Sequence, residues 1–185
     1  MTNPWKTLSS EVAYKSKWIS IRHDEVIRPD GKPGTYDVLE RPRSNQIIAL
    51  NCRGEVCLVG QWRYPTGRYS WELPGGANDE GEDDLSTAKR ELHEETGLVS
   101  KRWTYVGNFS LLNGITPALV DVWLAEEAEQ TNFNEAAEEG ICRVITIPVD
   151  EVRSMIHRGE IENSAAIASF YRYDLHRQYA EKTIR

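Results

Sequence analysis

Gly76-Ala-Asn-Asp-Glu-Gly-Glu82, then seven further residues, then Arg90-Glu-Leu-His-Glu-Glu-Thr-Gly-Leu98 is the stretch from which the rest of the chain is read. Its second half predicts the end of a helix. Leu85, Ala88 and Leu92 recur at helical spacing and make one apolar edge. Asp83 or Asp84 can cap the start, and Gly97 supplies a left-handed stop. Glu91, Glu94 and Glu95 stand at i, i+3 and i+4, so the three carboxylates share one face.

That placement opposes helix formation. Like charges one turn apart repel by about 0.2–0.5 kcal/mol. Negative charge at a helix C-terminus opposes the macrodipole by about 0.3–1 kcal/mol per charge. Arg90 offsets part of this through Glu94, one turn on. The rest calls for a cation, and carboxylates without a thiolate or paired histidine suit a hard divalent ion, Mg²⁺ with Mn²⁺ as the alternative. A solvated acidic helix end is the plain competing reading in a chain with 28% charged residues. The spacing decides against it: the whole pattern should arise by chance on the order of once in a million chains at average residue usage.

The pattern is G-x5-E-x7-R-E-U-x-E-E-x-G-U, with U apolar, and no letter is missing. The chain therefore resembles the Nudix hydrolase superfamily. The resemblance implies an α+β fold, an α/β/α sandwich with a mixed β-sheet between helices. It implies metal ligation by Glu91, Glu94 and Glu95 and by the backbone carbonyl of Gly75. It gives Arg90 the role of orienting the glutamates and Glu82 that of holding the loop to the helix, with a share in metal binding as the alternative. His93 is expected to point away.

Composition narrows the rest. The 185 residues suffice for a domain with its own core. A net charge of −7 leaves no electrostatic footprint for nucleic acid or an anionic membrane. No apolar run reaches the roughly 20 residues of a membrane span. The first residues lack the apolar segment of a signal peptide. Cys52, Cys57 and Cys142 have no metal spacing and read as reduced thiols of a cytoplasmic protein. All three fall on expected strands or turns away from the acidic box.

In chain order, residues 1–44 predict an N-terminal strand arm, with a strand over Val12 to Ile21 anchored by Trp18, Ile19 and Ile21. A turn follows at Pro29-Asp-Gly-Lys-Pro-Gly34, then a returning strand from Tyr36 to Arg41. Two strands bury little alone, so the arm needs the main domain or a second subunit. Residues 45–185 form the main domain. Strands are expected at Gln46–Leu50, Val56–Trp62, Trp103–Phe109, Leu119–Ala125 and Ile141–Ile147. Glu126 through Glu139 reads as a solvated loop. A helix starts at Pro148 and stops near Gly159. A last helix begins at Asn163 with Ile167, Phe170, Tyr171 and Leu175 on its inner side.

Outside the box, Val59-Gly-Gln-Trp-Arg-Tyr-Pro65, Trp71-Glu-Leu-Pro-Gly-Gly76 and Gly159-Glu-Ile-Glu-Asn-Ser-Ala-Ala resemble the branch of ADP-ribose pyrophosphatases and nucleoside diphosphate sugar hydrolases. That resemblance implies a homodimer joined through the arm. It places Arg63 on the substrate diphosphate and Arg41 and Trp18, of the same or of the other subunit, on the nucleoside; a strand arginine and a core tryptophan remain equal readings. It places the water-orienting base and a further metal ligand in the loop before the last strand, at Glu139, with Glu138 and Glu135 behind it. Ala137 stands where that branch often has a second acid. Asn113-Gly-Ile-Thr-Pro117 replaces its Ser/Pro-Gly loop, which keeps GDP-mannose-type sugars open beside ADP-ribose. The expected activity is metal-dependent cleavage of the diphosphate to nucleoside monophosphate and sugar phosphate. Alternatives are hydrolysis of dinucleoside polyphosphates or coenzyme A, an isopentenyl-diphosphate-isomerase-like reaction, and a non-catalytic sugar-nucleotide sensor.

Overall fold

The computed structural model describes residues 1–132 and 136–183, so Glu135 lies outside the described residues. The chain forms two compact units. One is Met1–Pro42 with Ser110–Leu119, the other Arg43–Phe109 with Val120–Arg185.

The first unit carries β1 (Lys6–Lys15), β2 (Ser20–Ile27) and β3 (Pro33–Glu40) in one antiparallel sheet. The loop of residues 110–119 joins it, since the Leu39 N–H donates to Ile115 O at 2.8 Å and the Tyr36 hydroxyl to Gly114 O at 2.7 Å. The sequence reading needs correction here. Val12 to Ile21 is not one strand but straddles the β1–β2 turn. Ser16 closes that turn: its N–H donates to Ile19 O at 2.8 Å, and its hydroxyl accepts from the Trp18 and Ile19 N–H groups, both at 3.2 Å. Trp18 therefore sits at the turn, 73% exposed, and anchors no core.

The second unit grows from Gln46-Ile-Ile-Ala-Leu50, an apolar run with no alternation, the mark of a strand covered on both faces. Its first four residues lie in β4 (Ser44–Ala49), and Leu50 follows directly. Side chains alternate along a strand. Ile47 and Ala49 thus meet Ala88 and Leu92 of α1 (Asp84–Thr96) on one side. Ile48 and Leu50 meet Val152 of α2 (Val149–His157) and Phe170 of α3 (Ser164–Thr183) on the other. That is the expected sandwich. A fully buried leucine such as Leu92 contributes about 1.5–3 kcal/mol.

Among the described residues, six strands of this unit form two three-stranded sheets, and a short pair stands apart from them. In one, β4 pairs in parallel with β9 (Leu119–Glu126), and β8 (Arg102–Ser110) follows β9. In the other, β5 (Glu55–Arg63) lies between β11 (Ile141–Pro148) and β6 (Arg68–Glu72), antiparallel to both. The acidic run is not loop throughout, because Glu129–Gln130 (β10) pairs with Leu98–Val99 (β7) directly after the helix stop.

Helix α1 starts where Asp83 accepts hydrogen bonds from the N–H groups of Leu85 and Ser86, at 3.2 and 3.1 Å. It ends at Gly97, whose φ of 71° lets its N–H reach His93 O. In α3 the expected inner stripe is only partly right. Ala166, Phe170 and Tyr173 are buried, whereas Tyr171 is 66% exposed and Ile167 lies outward. Spacing of four and three residues runs through the small Ala166 and the amphipathic Tyr173, so the larger apolar side chains beside them misled the reading. Among the described residues no helix is long and apolar enough to cross a membrane.

Candidate active site

The site is built where the chain after β6 runs back along the free edge of β4. Ile47 N–H donates to Pro74 O at 2.9 Å, Asn45 N–H to Gly76 O at 2.8 Å, and Asn78 N–H to Arg43 O at 3.0 Å. This short ladder presses the two glycines between β4 and α1. A Cβ on Gly75 would lie 2.1 Å from Asn45 O, and one on Gly76 would lie 2.3 Å from a Glu91 carboxylate oxygen. Only glycine allows both approaches.

Glu91 and Glu95 enter this gap from α1, 9% and 7% exposed. Glu95 Oε2 accepts the Gly75 N–H at 2.8 Å. Burial pushes Glu95 up to about 8, the Gly75 N–H opposing and the charge of Glu91 adding. Burial also raises Glu91; Arg90 opposes this, and Glu94 and Glu139 add to it. Arg90 fans across the acids. Its Nη1 donates to Glu91 at 2.9 Å and to Glu94 at 2.8 Å, and its Nη2 to Glu82 at 3.0 Å. Thr87 Oγ1 donates to the same Glu82 carboxylate at 2.8 Å, tying the loop to the helix.

Among the described residues, no three His, Cys, Asp or Glu side chains stand close enough together to share one ion as arranged here. Arg90 bridges Glu91 and Glu94, and Glu95 is turned to the Gly75 N–H. The donor set still fits Mg²⁺ or Mn²⁺. It offers hard oxygens only, and two nearly buried carboxylates resist ionising together, which a divalent cation would relieve.

Glu139 is exposed, in the turn just before β11, with Glu138 exposed beside it. Its negative charge adds to the upward shift of both Glu91 and Glu95. Arg63, at the end of β5, makes a two-pronged pair with Glu72 of β6, Nε to Oε1 at 2.8 Å and Nη2 to Oε2 at 2.7 Å. Glu72 is 3% exposed, and Arg63 lowers the pKa of Glu95, so this pair adjoins the acidic gap. It also walls a cleft of about 810 Å³ that continues past Arg68, Tyr69 and Trp71 to Glu162, between β6 and the chain joining α2 to α3. Arg41 and Trp18 belong to the other unit, where Lys17 Nζ lies 4.6 Å from the centre of a Trp18 ring. His93 turns its Nε2 to Thr131 Oγ1 at 3.4 Å.

Two points differ from the sequence reading. Cys57 is not remote from the box: it is buried in β5, and its thiol, pushed up to about 12 by burial, also feels the Glu95 charge. A thiol so hard to ionise is no nucleophile near neutral pH. Three polar residues of the site were also missed: Asn45, Glu72 and Asn78. A buried Glu72 beside an arginine nine positions earlier is the sort of hairpin pairing that sequence could have flagged. Asn45 offers no local signal.

Comparison with known proteins bears on this arrangement. A profile described as the NUDIX domain matches residues 40–170. One described as the nucleoside diphosphate sugar hydrolase N-terminal domain matches residues 5–39. An ADP-ribose pyrophosphatase of Mycobacterium tuberculosis is 35% identical over 166 residues, covering 89% of this chain and 80% of the relative. An ADP-ribose pyrophosphatase of Bacillus subtilis is 29% identical, covering 84% of this chain and 85% of the relative. A solved structure titled as an ADP compounds hydrolase superposes with a TM-score of 0.83 at 15% identity, covering 99% of this chain and 97% of that one, a likeness of fold.

Proposed function

From the premise that this chain belongs to the NUDIX family, we propose that it is a pyrophosphohydrolase that cleaves nucleoside diphosphate sugars of ADP-ribose or GDP-mannose type. The products are a nucleoside monophosphate and a sugar phosphate. The observation that carries this reading is the pair of buried carboxylates, Glu91 and Glu95, set against a glycine backbone beside the Arg63–Glu72 pair.

Glu91, Glu94, Glu95 and the Gly75 carbonyl would hold Mg²⁺, or Mn²⁺, with Glu139 completing the set. Bound there, a divalent ion would supply positive charge against the diphosphate and would ease deprotonation of water near neutral pH. Arg90 steers the glutamates and balances their charge. Arg63 presents a planar fork suited to a phosphate, and Glu72 keeps that fork aimed. Glu139, with Glu138 as its neighbour, takes the proton of the attacking water. The water oxygen bonds to phosphorus, the bridging P–O bond breaks, and the departing phosphate keeps the bond's electrons. The cleft beyond Arg63 has room and polar lining for the rest of the substrate.

The working particle would be a homodimer in the cytoplasm, and Arg41 and Trp18, of the same or of the other subunit, would hold the nucleoside. Supporting the dimer, every residue of β1 is exposed, with Leu8, Val12 and Tyr14 offering apolar surface that the monomer leaves uncovered. Supporting the compartment, Cys52, Cys57 and Cys142 are free thiols.

The test is incubation with ADP-ribose, GDP-mannose and a panel of other nucleotides, with Mg²⁺, with Mn²⁺ and with chelator. Products are read by chromatography and size by light scattering. Metal-dependent release of nucleoside monophosphate from a nucleotide sugar is expected. Intact nucleotide sugars under all metal conditions would overturn the reading.

A further inference from the structure

The structure assigns to Asn45 the role of a positioning residue for the metal-binding loop, an inference that rests on the reading above. Asn45 is fully buried and lies on β4, outside the acidic box. Its side chain is one link of a polar chain. Trp123 Nε1 donates to Asn45 Oδ1 at 2.9 Å, Asn45 Nδ2 donates to Asn78 Oδ1 at 2.9 Å, and Asn78 Nδ2 donates to Asp84 Oδ1 at 2.6 Å.

The direction of this chain is fixed by its ends. An indole N–H can only donate and an ionised carboxylate can only accept. The Asn45 oxygen must therefore face Trp123 and its amide nitrogen must face Asn78. Asn78 must in turn show its oxygen to Asn45 and its nitrogen to Asp84. No other amide orientation satisfies all three contacts, so Asn45 and Asn78 form a single polarised strut.

The strut runs from the β9 strand through β4 into the loop, and it reaches the first residue of α1. Backbone contacts lock the same span: Asn45 N–H on Gly76 O, and Arg43 O on the Asn78 N–H. Asn45 O also lies against Gly75, where a Cβ would be 2.1 Å away. Asn45 thus holds Gly76 through its backbone N–H and Asn78 through its side chain, while its carbonyl packs against Gly75. Beside it, Arg43 is steadied by the buried Asp121, which also accepts from the Tyr105 hydroxyl at 2.7 Å. Gly75 is the residue whose carbonyl would join Glu91 and Glu95 around the ion. Loosening the strut should therefore weaken metal binding more than it weakens the fold or the chemistry.

The experiment compares wild type, Asn45→Asp, Asn45→Ala and Asn78→Ala. Mn²⁺ affinity is read by calorimetry, the metal-free melting temperature by scanning calorimetry, and kcat as a function of Mn²⁺. Asn45→Asp keeps the shape but turns an acceptor toward Asn78 Oδ1. Asn78 is only half-buried, so its truncation reads the same strut if an Asn45 variant fails to fold. Partners that orient metal ligands typically alter affinity by roughly 10–100-fold. We expect a fall in Mn²⁺ affinity of about tenfold or more in each folded variant, with kcat returning to near the wild-type value at saturating Mn²⁺. Combining Asn45→Ala with Asn78→Ala should add little, since either change breaks the strut. Wild-type Mn²⁺ affinity in the folded variants overturns the assignment. So does a kcat that excess Mn²⁺ leaves depressed. A wild type that binds no Mn²⁺ would instead overturn the hydrolase reading, and this inference would fall with it.

Discussion

Glu95 and Gly75, twenty residues apart in sequence, are joined by a 2.8 Å hydrogen bond from the glycine N–H to the carboxylate. Helix and loop thus meet through a group that glycine alone can present, because a side chain at position 75 would collide with Asn45 O. The carboxylate stays close to the backbone it would share with an ion.

Glu95→Gln and Glu91→Gln should fold as wild type does. Each replaces a nearly buried carboxyl group by an amide of almost the same shape. Turnover of nucleotide sugars should drop on the order of a thousandfold or more, the scale of losing groups that stabilise developing charge. Steady-state kinetics with circular dichroism checks this, and wild-type turnover in either variant would refute the metal assignment.

Stability without metal should depend on pH through Glu95. Its folded pKa, about 8, exceeds the ordinary 4.5. The folded state then binds more protons than the unfolded, so the stability it contributes is full below about 4.5 and is lost as pH rises through about 8. Chelator-treated wild type should lose melting temperature relative to Glu95→Gln across that window. Metal binding must displace the same proton, so affinity should rise with pH over the same range. Parallel melting curves for the two proteins would contradict this.

The two glycines should respond differently to alanine. At position 75 the methyl meets backbone, which cannot swing aside, and overpacking of this kind costs about 1–3 kcal/mol. At position 76 it meets the Glu91 carboxylate, which can move. Gly75→Ala should lower the melting temperature, whereas Gly76→Ala should keep it and lose activity. Thermal melts beside turnover separate the two.

Arg63→Ala should raise KM for nucleotide sugars by roughly tenfold or more, the loss of a two-pronged phosphate contact. It should also destabilise by about 1–3 kcal/mol, since Glu72 would be left as a buried carboxylate without its cation. Adding Glu72→Gln should recover stability but not KM. Recovery of both would mean that Arg63 serves the fold alone.

Much of α1 was legible because its signals are local. Asp83, Ala88, Leu92 and Gly97 act within a turn or two of one another, and β4 shows its two-sided burial in an unbroken apolar run. The arm was harder. Trp18 looks like a core residue, and only the Ser16 hydroxyl, which caps the turn, reveals why it is exposed. In α3 the buried stripe runs through alanine and tyrosine, neither a strong apolar marker. The acids of the box could be read from sequence, but what aims them could not. Asn45 reaches Asn78 and Trp123 only after β4 has paired with β9, and Glu72 reaches Arg63 only across the β5–β6 hairpin.

The most direct measurement is calorimetric titration of Mg²⁺ and Mn²⁺ into chelator-treated protein above pH 8, for wild type, Glu91→Gln and Glu95→Gln. The account predicts saturable binding with proton release in wild type, and affinity lower by about tenfold or more in both variants. Equal binding in all three proteins, or none in wild type, would contradict it.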